Sequence, residues 1–136
     1  MFTKVIKSPL EAELQDIAAG YGFAPKIQRV DENIAQMDSI EGLCLADIYT
    51  DDPAEIPDLI WIKIESILTI LFEMEGIEYV DITPYNFMED KNGKIWIIDF
   101  GDAYYTPNKK GEGAENWFLR SLLAGECGKA WNTDFA

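Results

Sequence analysis

An apolar stretch at residues 57–75 constrains the fold more than any other feature of the sequence. In a helix, its apolar side chains would point to every side, whereas a surface helix carries a single apolar stripe. Charged residues interrupt the stretch, and charges deep in hydrocarbon are costly, so it is not a membrane span. We therefore predict a central helix, buried by the rest of the chain and ended by Gly76. Its apolar residues are Leu59, Ile60, Trp61, Ile62, Ile64, Ile67, Leu68, Ile70, Leu71, Phe72 and Met74.

Short strands and one amphipathic helix are predicted before the central helix. Ser8 and Pro9 form a helix start signal, because serine caps a helix and proline fits its first turn. Apolar residues then recur at intervals of three and four, which predicts a helix at 9–19. The other predicted elements are a strand at 2–7, a hairpin of strands at 27–30 and 34–37, and a short helix at 43–49.

Strands dominate the prediction for the residues after Gly76. Asn92-Gly93 is the strongest short hairpin signal in the sequence, and a β-branched run follows it at 94–98. Strands are also predicted at 77–80 and 87–88, a loop at 106–113 and a final helix at 114–123. Helices mixed with hairpins predict the α+β fold class.

Size and charge narrow the classes of partner. A chain of 136 residues suits one domain. Its 25 acidic and 11 basic residues give a net charge of −14, which repels nucleic-acid backbones and anionic membrane surfaces. Without histidine, and with two cysteines, the chain lacks the ligands of a structural zinc site and a histidine base. No signal peptide is evident at the start, so we expect a soluble, cytoplasmic protein.

Two motifs close together in the sequence carry the chemistry. Asp81 and Asn86 reproduce a D-x-x-x-x-N spacing, and Asp99-Phe100-Gly101 reads D-F-G. The pair is joined by the predicted hairpin and preceded by the buried helix. This combination resembles the catalytic loop and metal-binding motif of the protein-kinase-like superfamily.

The resemblance implies roles for the side chains of these motifs. Asp99 would hold Mg²⁺ or Mn²⁺ on the phosphates of ATP, and Asn86 would hold a second metal ion. Asp81 would orient or deprotonate the acceptor hydroxyl as the catalytic residue. The alternative for Asp81 and Asn86 is a purely structural role, because Asp and Asn side chains often brace turns.

Residues earlier in the sequence extend the resemblance to the nucleotide-binding residues of the family. Lys7, on the first strand, would bind the nucleotide and pair with Glu11 of the first helix, with Lys4 and Glu13 as substitutes. The alternative is that these are solvated surface charges.

The strand at 34–37 and its continuation resemble the adenine-binding hinge. Met37 would lie near the gatekeeper position, and backbone groups of Asp38 to Ile40 would face the base. The alternative is an ordinary edge strand. The implied organisation is a reduced N-lobe at 1–38, a hinge at 39–42 and a truncated, mainly helical C-lobe at 43–136 with a catalytic-loop hairpin.

The sequence also departs from the family pattern. No glycine-rich loop precedes Lys7, Tyr79-Val80 stands where H-R is usual, and no A-P-E follows Gly101. The expected function is therefore an atypical minimal kinase that transfers phosphate from Mg-ATP to a protein or small-molecule acceptor, with a protein partner that could complete the site. The alternative is a kinase-like pseudoenzyme that acts as a nucleotide-binding or protein-interaction module.

Overall fold

A small antiparallel sheet and one helix form the first part of the fold. The computed structural model describes residues 1–109 and 112–135. Strands β1 (Phe2–Val5), β2 (Ile27–Arg29) and β3 (Ile34–Met37) form a sheet in the order β1-β3-β2, with both pairings antiparallel. The predicted hairpin of β2 and β3 is therefore confirmed.

Helix α1 (Pro9–Gly20) packs beside this sheet. Ser8 is extended at the N-cap position and Pro9 opens the first turn, as predicted, although the Ser8 side chain makes no capping hydrogen bond. The buried face of α1 includes two polar residues, Glu11 and Gln15. Gln15 Nε2 donates to the Pro25 carbonyl over 3.0 Å, which ties the helix to the chain that enters β2.

The second part of the fold is built around the predicted central helix. Helices α2 (Leu45–Ile48) and α3 (Asp58–Glu75) are separated by a 3₁₀ turn at Pro53–Glu55. Seven residues of α3 are buried, but the predicted apolar residues Leu59 and Ile62 are largely exposed, so only one side of the helix is buried. Gly76 ends the helix with a φ of 66°, a left-handed conformation that glycine adopts without strain. Among the helices at 1–109 and 112–135, none is long and apolar enough to cross a membrane.

Two further groups of strands frame α3. Strands β4 (Gly42–Cys44), β6 (Phe87–Asp90) and β7 (Ile95–Ile97) form an antiparallel sheet, and β5 (Ile77–Glu78) pairs with β8 (Tyr104–Tyr105). The hairpin of β6 and β7 is the one predicted from Asn92-Gly93. Helix α4 (Trp117–Leu123) packs against α3. These elements make the chain a mixture of helices and antiparallel sheets, in agreement with the α+β prediction.

Two predicted helices begin later than expected. The helix predicted at 43–49 starts at Leu45, because Gly42–Cys44 pairs with β6 as strand β4. The helix predicted at 114–123 starts at Trp117, because the Asn116 side chain caps it by accepting a hydrogen bond from the Leu119 N–H (3.0 Å). The predicted loop at 106–113 includes residues 110 and 111, which lie outside the described residues.

Candidate functional site

A cleft of about 520 Å³ lies where the first sheet meets the β6–β7 hairpin. Residues from three distant parts of the sequence line it, so the cleft exists only in the folded chain. The lining residues are Phe2, Lys4, Pro25, Met37, Asp38, Ser39, Ile40, Asn86, Met88, Ile98 and Asp99. A neighbouring cavity of about 380 Å³ shares the 38–40 segment but contains none of the residues of the two motifs.

Lys4 is the cation of this cleft. Its Nζ lies 2.8 Å from Glu11 Oε2 and 4.0 Å from Asp99 Oδ1, and donates to the Ile98 carbonyl over 3.3 Å. The Glu11 contact has the distance of an ion pair without the alignment of a hydrogen bond. The side chain of Glu11 is 3% exposed and that of Lys4 18%, so this pair is shielded from water. Lys4 thus joins α1 to the segment that carries Asp99.

The predicted pairing of Lys7 with Glu11 is wrong. Lys7 Nζ lies 2.8 Å from Asp102 Oδ1, is 64% exposed, and does not line the cleft. Side chains alternate along a strand, so Lys4 shares the cleft face with Phe2, whereas Lys7 comes after β1 has ended. Glu11 keeps its predicted role as the carboxyl partner, although with Lys4, and its Oε1 accepts from the backbone N–H of Lys7 (3.0 Å).

The predicted hinge residues do line the cleft. Met37 is 3% exposed and contributes to the inner wall together with Asp38 and Ile40. The Asp38 N–H already donates to the Lys26 carbonyl (2.9 Å), and the Ile40 carbonyl accepts from Gly42 N–H (3.1 Å). Within residues 1–109 and 112–135, the Asp38 carbonyl and the Ile40 N–H have no hydrogen-bond partner. One acceptor and one donor of this segment are therefore free for a ligand.

The loop between β5 and β6 makes a tight turn at Asp81. The Ile82 N–H donates to the Val80 carbonyl over 2.9 Å, which closes a three-residue turn centred on Asp81. Asn86 Nδ2 donates to the Asp81 carbonyl over 2.9 Å. Asn86 therefore braces the loop, as the structural alternative expects, while its Oδ1 accepts no hydrogen bond from the described chain. Asp81 lies beside the cleft and does not line it.

The Asp99 side chain is held by the backbone that follows it. Its Oδ1 accepts from the Gly101 N–H over 2.8 Å, and the side chain stays 46% exposed. A Cβ at Gly101 would lie 3.1 Å from Asp99 Oδ1 and 3.2 Å from Glu11 Oε1, so glycine permits this close approach. The buried Tyr79 hydroxyl donates to the Asp99 carbonyl over 2.6 Å, and its ring packs edge-on against Phe100.

Burial and neighbouring carboxylates change the acidity of Asp81. The pKa of Asp81 is raised to about 6, first by partial burial and then by the charges of Asp102 and Asp99, while the nearby Asn86 side chain acts in the opposite direction. Asp102 in turn raises the pKa of Lys7 through their hydrogen bond. The carboxyl group of Asp81 therefore changes protonation state near neutral pH.

The comparisons with known proteins find solved structures that resemble this chain. No protein-family model and no curated protein matches the chain. A solved structure described as the complex of Rv3197 with erythromycin, from Mycobacterium tuberculosis, is 25% identical with a TM-score of 0.50. The match covers 72% of this chain and 27% of that one, so the chain spans about a quarter of the length of that protein. The two chains therefore share a fold over the matched part, which in this chain combines helices with antiparallel sheets.

A divalent cation is implied by the kinase-like motifs, and the oxygen atoms present can accommodate it. Asn86 Oδ1 and Asp99 Oδ2 take part in no described hydrogen bond, and hard cations prefer oxygen ligands of this kind. Residues 1–109 and 112–135 contain no group of three or more His, Cys, Asp or Glu arranged to hold a metal. The two side chains therefore suit a cation that takes its remaining ligands from water and phosphate.

Sequence reasoning missed several residues of the site. Phe2 lines the cleft from the same strand face as Lys4, and a period-two analysis of β1 could have found both. Asp102, directly after the D-F-G, contacts Lys7 and influences Asp81. Met88 and Ile98 line the cleft from the hairpin, and no feature of the sequence separates them from core residues.

Proposed function

We propose that the chain is a minimal kinase-like phosphotransferase that binds Mg-ATP in the cleft and transfers phosphate to a protein or small-molecule acceptor. The observation that carries the proposal is the convergence of Lys4, Asn86 and Asp99 on one cleft. A cation and two oxygen ligands in a largely apolar cleft are the groups that binding of a metal-bound triphosphate requires. The kinase-like fold, the reduced lobes and a cytoplasmic location belong to the same proposal.

Each group has a part that follows from its position. Lys4 neutralises phosphate charge, and Glu11 holds its ammonium group toward Asp99. Asn86 and Asp99 would hold Mg²⁺ or Mn²⁺, which reduces the negative charge on the phosphates when bound. The free Asp38 carbonyl and Ile40 N–H meet the edge of the base, with Met37 behind it. Asp81 orients the acceptor hydroxyl and accepts its proton.

One observation favours the alternative of a nucleotide-binding or protein-interaction module without turnover. Asp99 Oδ1 and the Asn86 amide group already brace local backbone, and no cluster of three metal-binding side chains exists in the described part of the chain. Such a protein would bind nucleotide without transferring phosphate. A partner protein that supplies further ligands would reconcile the two functions.

Mg-ATP is expected to raise the melting temperature, because a ligand that binds only the folded state stabilises it. At a nucleotide concentration of about 100 times Kd, the rise is about 10 °C. The measurement is a thermal shift with ATP and Mg²⁺ against ATP and chelator. Asp99→Asn is expected to abolish the rise. Equal melting temperatures in all of these samples would contradict nucleotide binding altogether.

Lys4→Met is expected to weaken Mg-ATP binding about 30-fold or more, because it removes a shielded cation from the phosphates. Lys7→Met is the matched control and should change Kd by less than about threefold, because exposed ion pairs contribute little. Since Lys4→Met also leaves the Glu11 carboxyl group without its cation, Kd is measured by calorimetry well below the melting temperature. A large loss of affinity for Mg-ATP in Lys7→Met, with no loss in Lys4→Met, would assign nucleotide binding to Lys7 instead.

A further inference from the structure

The segment at residues 129–135, here called the strap, crosses the outside of the loop that carries Asp81. It is anchored first to the start of α3 and to the residues just before that helix. Lys129 Nζ lies 2.7 Å from Asp58 Oδ1 and donates to the Ile56 carbonyl over 2.8 Å. Trp131 packs on Trp61 with ring centroids 4.6 Å apart, and its indole N–H donates to the Asp51 carbonyl over 3.0 Å.

Directly after these anchors, Asn132 contacts the loop on both sides of Asp81. Its Nδ2 donates to the Val80 carbonyl over 2.8 Å, and its backbone N–H donates to the Ile82 carbonyl over 2.9 Å. Asn132 is fully buried, and its Oδ1 accepts from the Asp134 N–H over 3.1 Å, so both ends of its amide are engaged. The side chain is therefore locked in the orientation in which it bonds the loop.

These contacts restrain the turn that presents Asp81. The Val80 carbonyl accepts from both the Ile82 N–H and Asn132 Nδ2, so the closing bond of the turn and the strap share one atom. The Val80 and Ile82 residues are buried, and a buried carbonyl without a partner is costly. Rotation of the Asp81 backbone would break bonds to the strap on one side or the other.

We propose that Asn132 is a positioning residue, which fixes the backbone of Asp81 by holding the carbonyl groups before and after it. The inference rests on the proposed function for the role of Asp81 in transfer. A catalytic carboxyl group displaced by about 1 Å can cost about a hundredfold in rate, even when substrate binding is intact. The strap therefore couples the packing of Trp131 on α3 to the geometry of the acceptor side of the cleft.

The test compares Asn132→Ala with Thr133→Ala, which alters the neighbouring, exposed side chain of the same strap. Without nucleotide, hydrogen exchange of the amides at 80–86 should become about tenfold faster or more in Asn132→Ala, while the β6–β7 hairpin keeps its protection. With Mg-ATP, kcat should fall about tenfold or more, and KM for Mg-ATP should change less than about twofold. Thr133→Ala should behave as the wild type in both measurements.

The two measurements separate the inference from the proposed function. If the wild type transfers no phosphate, the proposed function fails. Hydrogen exchange of the amides at 80–86 still shows whether the strap restrains the loop. Unchanged exchange at 80–86 in Asn132→Ala overturns the inference, as does a uniform increase over the whole chain. If Asn132→Ala does not fold, Asn132→Leu replaces it, because leucine has the same number of side-chain heavy atoms, carries no charge and lacks the donor to Val80.

Discussion

Replacing Asp81 by asparagine should lower the rate of phosphate transfer from Mg-ATP by a factor of about 10² to 10⁴, the usual contribution of a general base. The amide has the size of the carboxyl group but cannot accept a proton from the acceptor hydroxyl. Transfer is measured with labelled ATP, to the protein itself or to a candidate acceptor. The thermal shift with Mg-ATP should remain in Asp81→Asn, because Asp81 does not line the cleft.

The pH dependence of transfer gives a second signature of Asp81. The base is the carboxylate form, and its pKa is raised to about 6. The value of kcat/KM, which reports the free enzyme, should therefore be highest above about pH 7 and fall as the pH drops through 6. The residual rate of Asp81→Asn should lack this step. Transfer that keeps the wild-type rate and pH profile in Asp81→Asn would assign the base to another group.

Glu78→Ala is expected to lower the free energy of unfolding by about 3 kcal/mol, which corresponds to a fall of about 10 °C in melting temperature. Glu78 is fully buried on β5, where its carboxyl group accepts from the backbone N–H groups of Glu115 and Asn116, each over 2.8 Å. Tyr104 donates to the same group over 3.3 Å. Alanine would leave these donors without their acceptor just before α4.

Thermal unfolding in the absence of ligand measures this effect. The matched control is Glu73→Ala, because Glu73 is exposed near the end of α3 and such a change usually costs less than about 0.5 kcal/mol. Equal melting temperatures for the two variants would mean that the hydrogen bonds of Glu78 contribute nothing net to stability.

Much of the fold follows from local signals in the sequence. The central helix, the α1 start at Ser8-Pro9 and the hairpin at Asn92-Gly93 depend on residues close together, and the structure contains all three. Strands β4 and β8 were not predicted, because each is two or three residues long and exists through pairing with a distant strand. The late start of α4 also depends on a distant residue. The carboxyl group of Glu78 accepts hydrogen bonds from the N–H groups of Glu115 and Asn116, the two residues before the helix.

The residues of the candidate site also divide into those that a local signal predicts and those that depend on distant contacts. Asn86 and Asp99 could be assigned from their spacing, and both line the cleft. The choice between Lys4 and Lys7 depended on which face of β1 meets the cleft, because residues three positions apart on a strand lie on opposite faces. Asn132 lies 51 positions after Asp81, and no pattern in the sequence indicates that contact.

The hairpin of β6 and β7 also bears on the order in which the cleft assembles. Asn86 and Asp99 flank the hairpin, and the Ile98 N–H donates to the Asn86 carbonyl at its base over 3.1 Å. Closing so short a loop costs little chain entropy, so the two oxygen ligands can approach each other early in folding. Lys4 and Asp99 are far apart in the sequence. The ammonium group of Lys4 can therefore approach Asp99 only when the first sheet packs against the rest of the fold. We therefore expect the cation half of the cleft to form last and to be lost first on local unfolding.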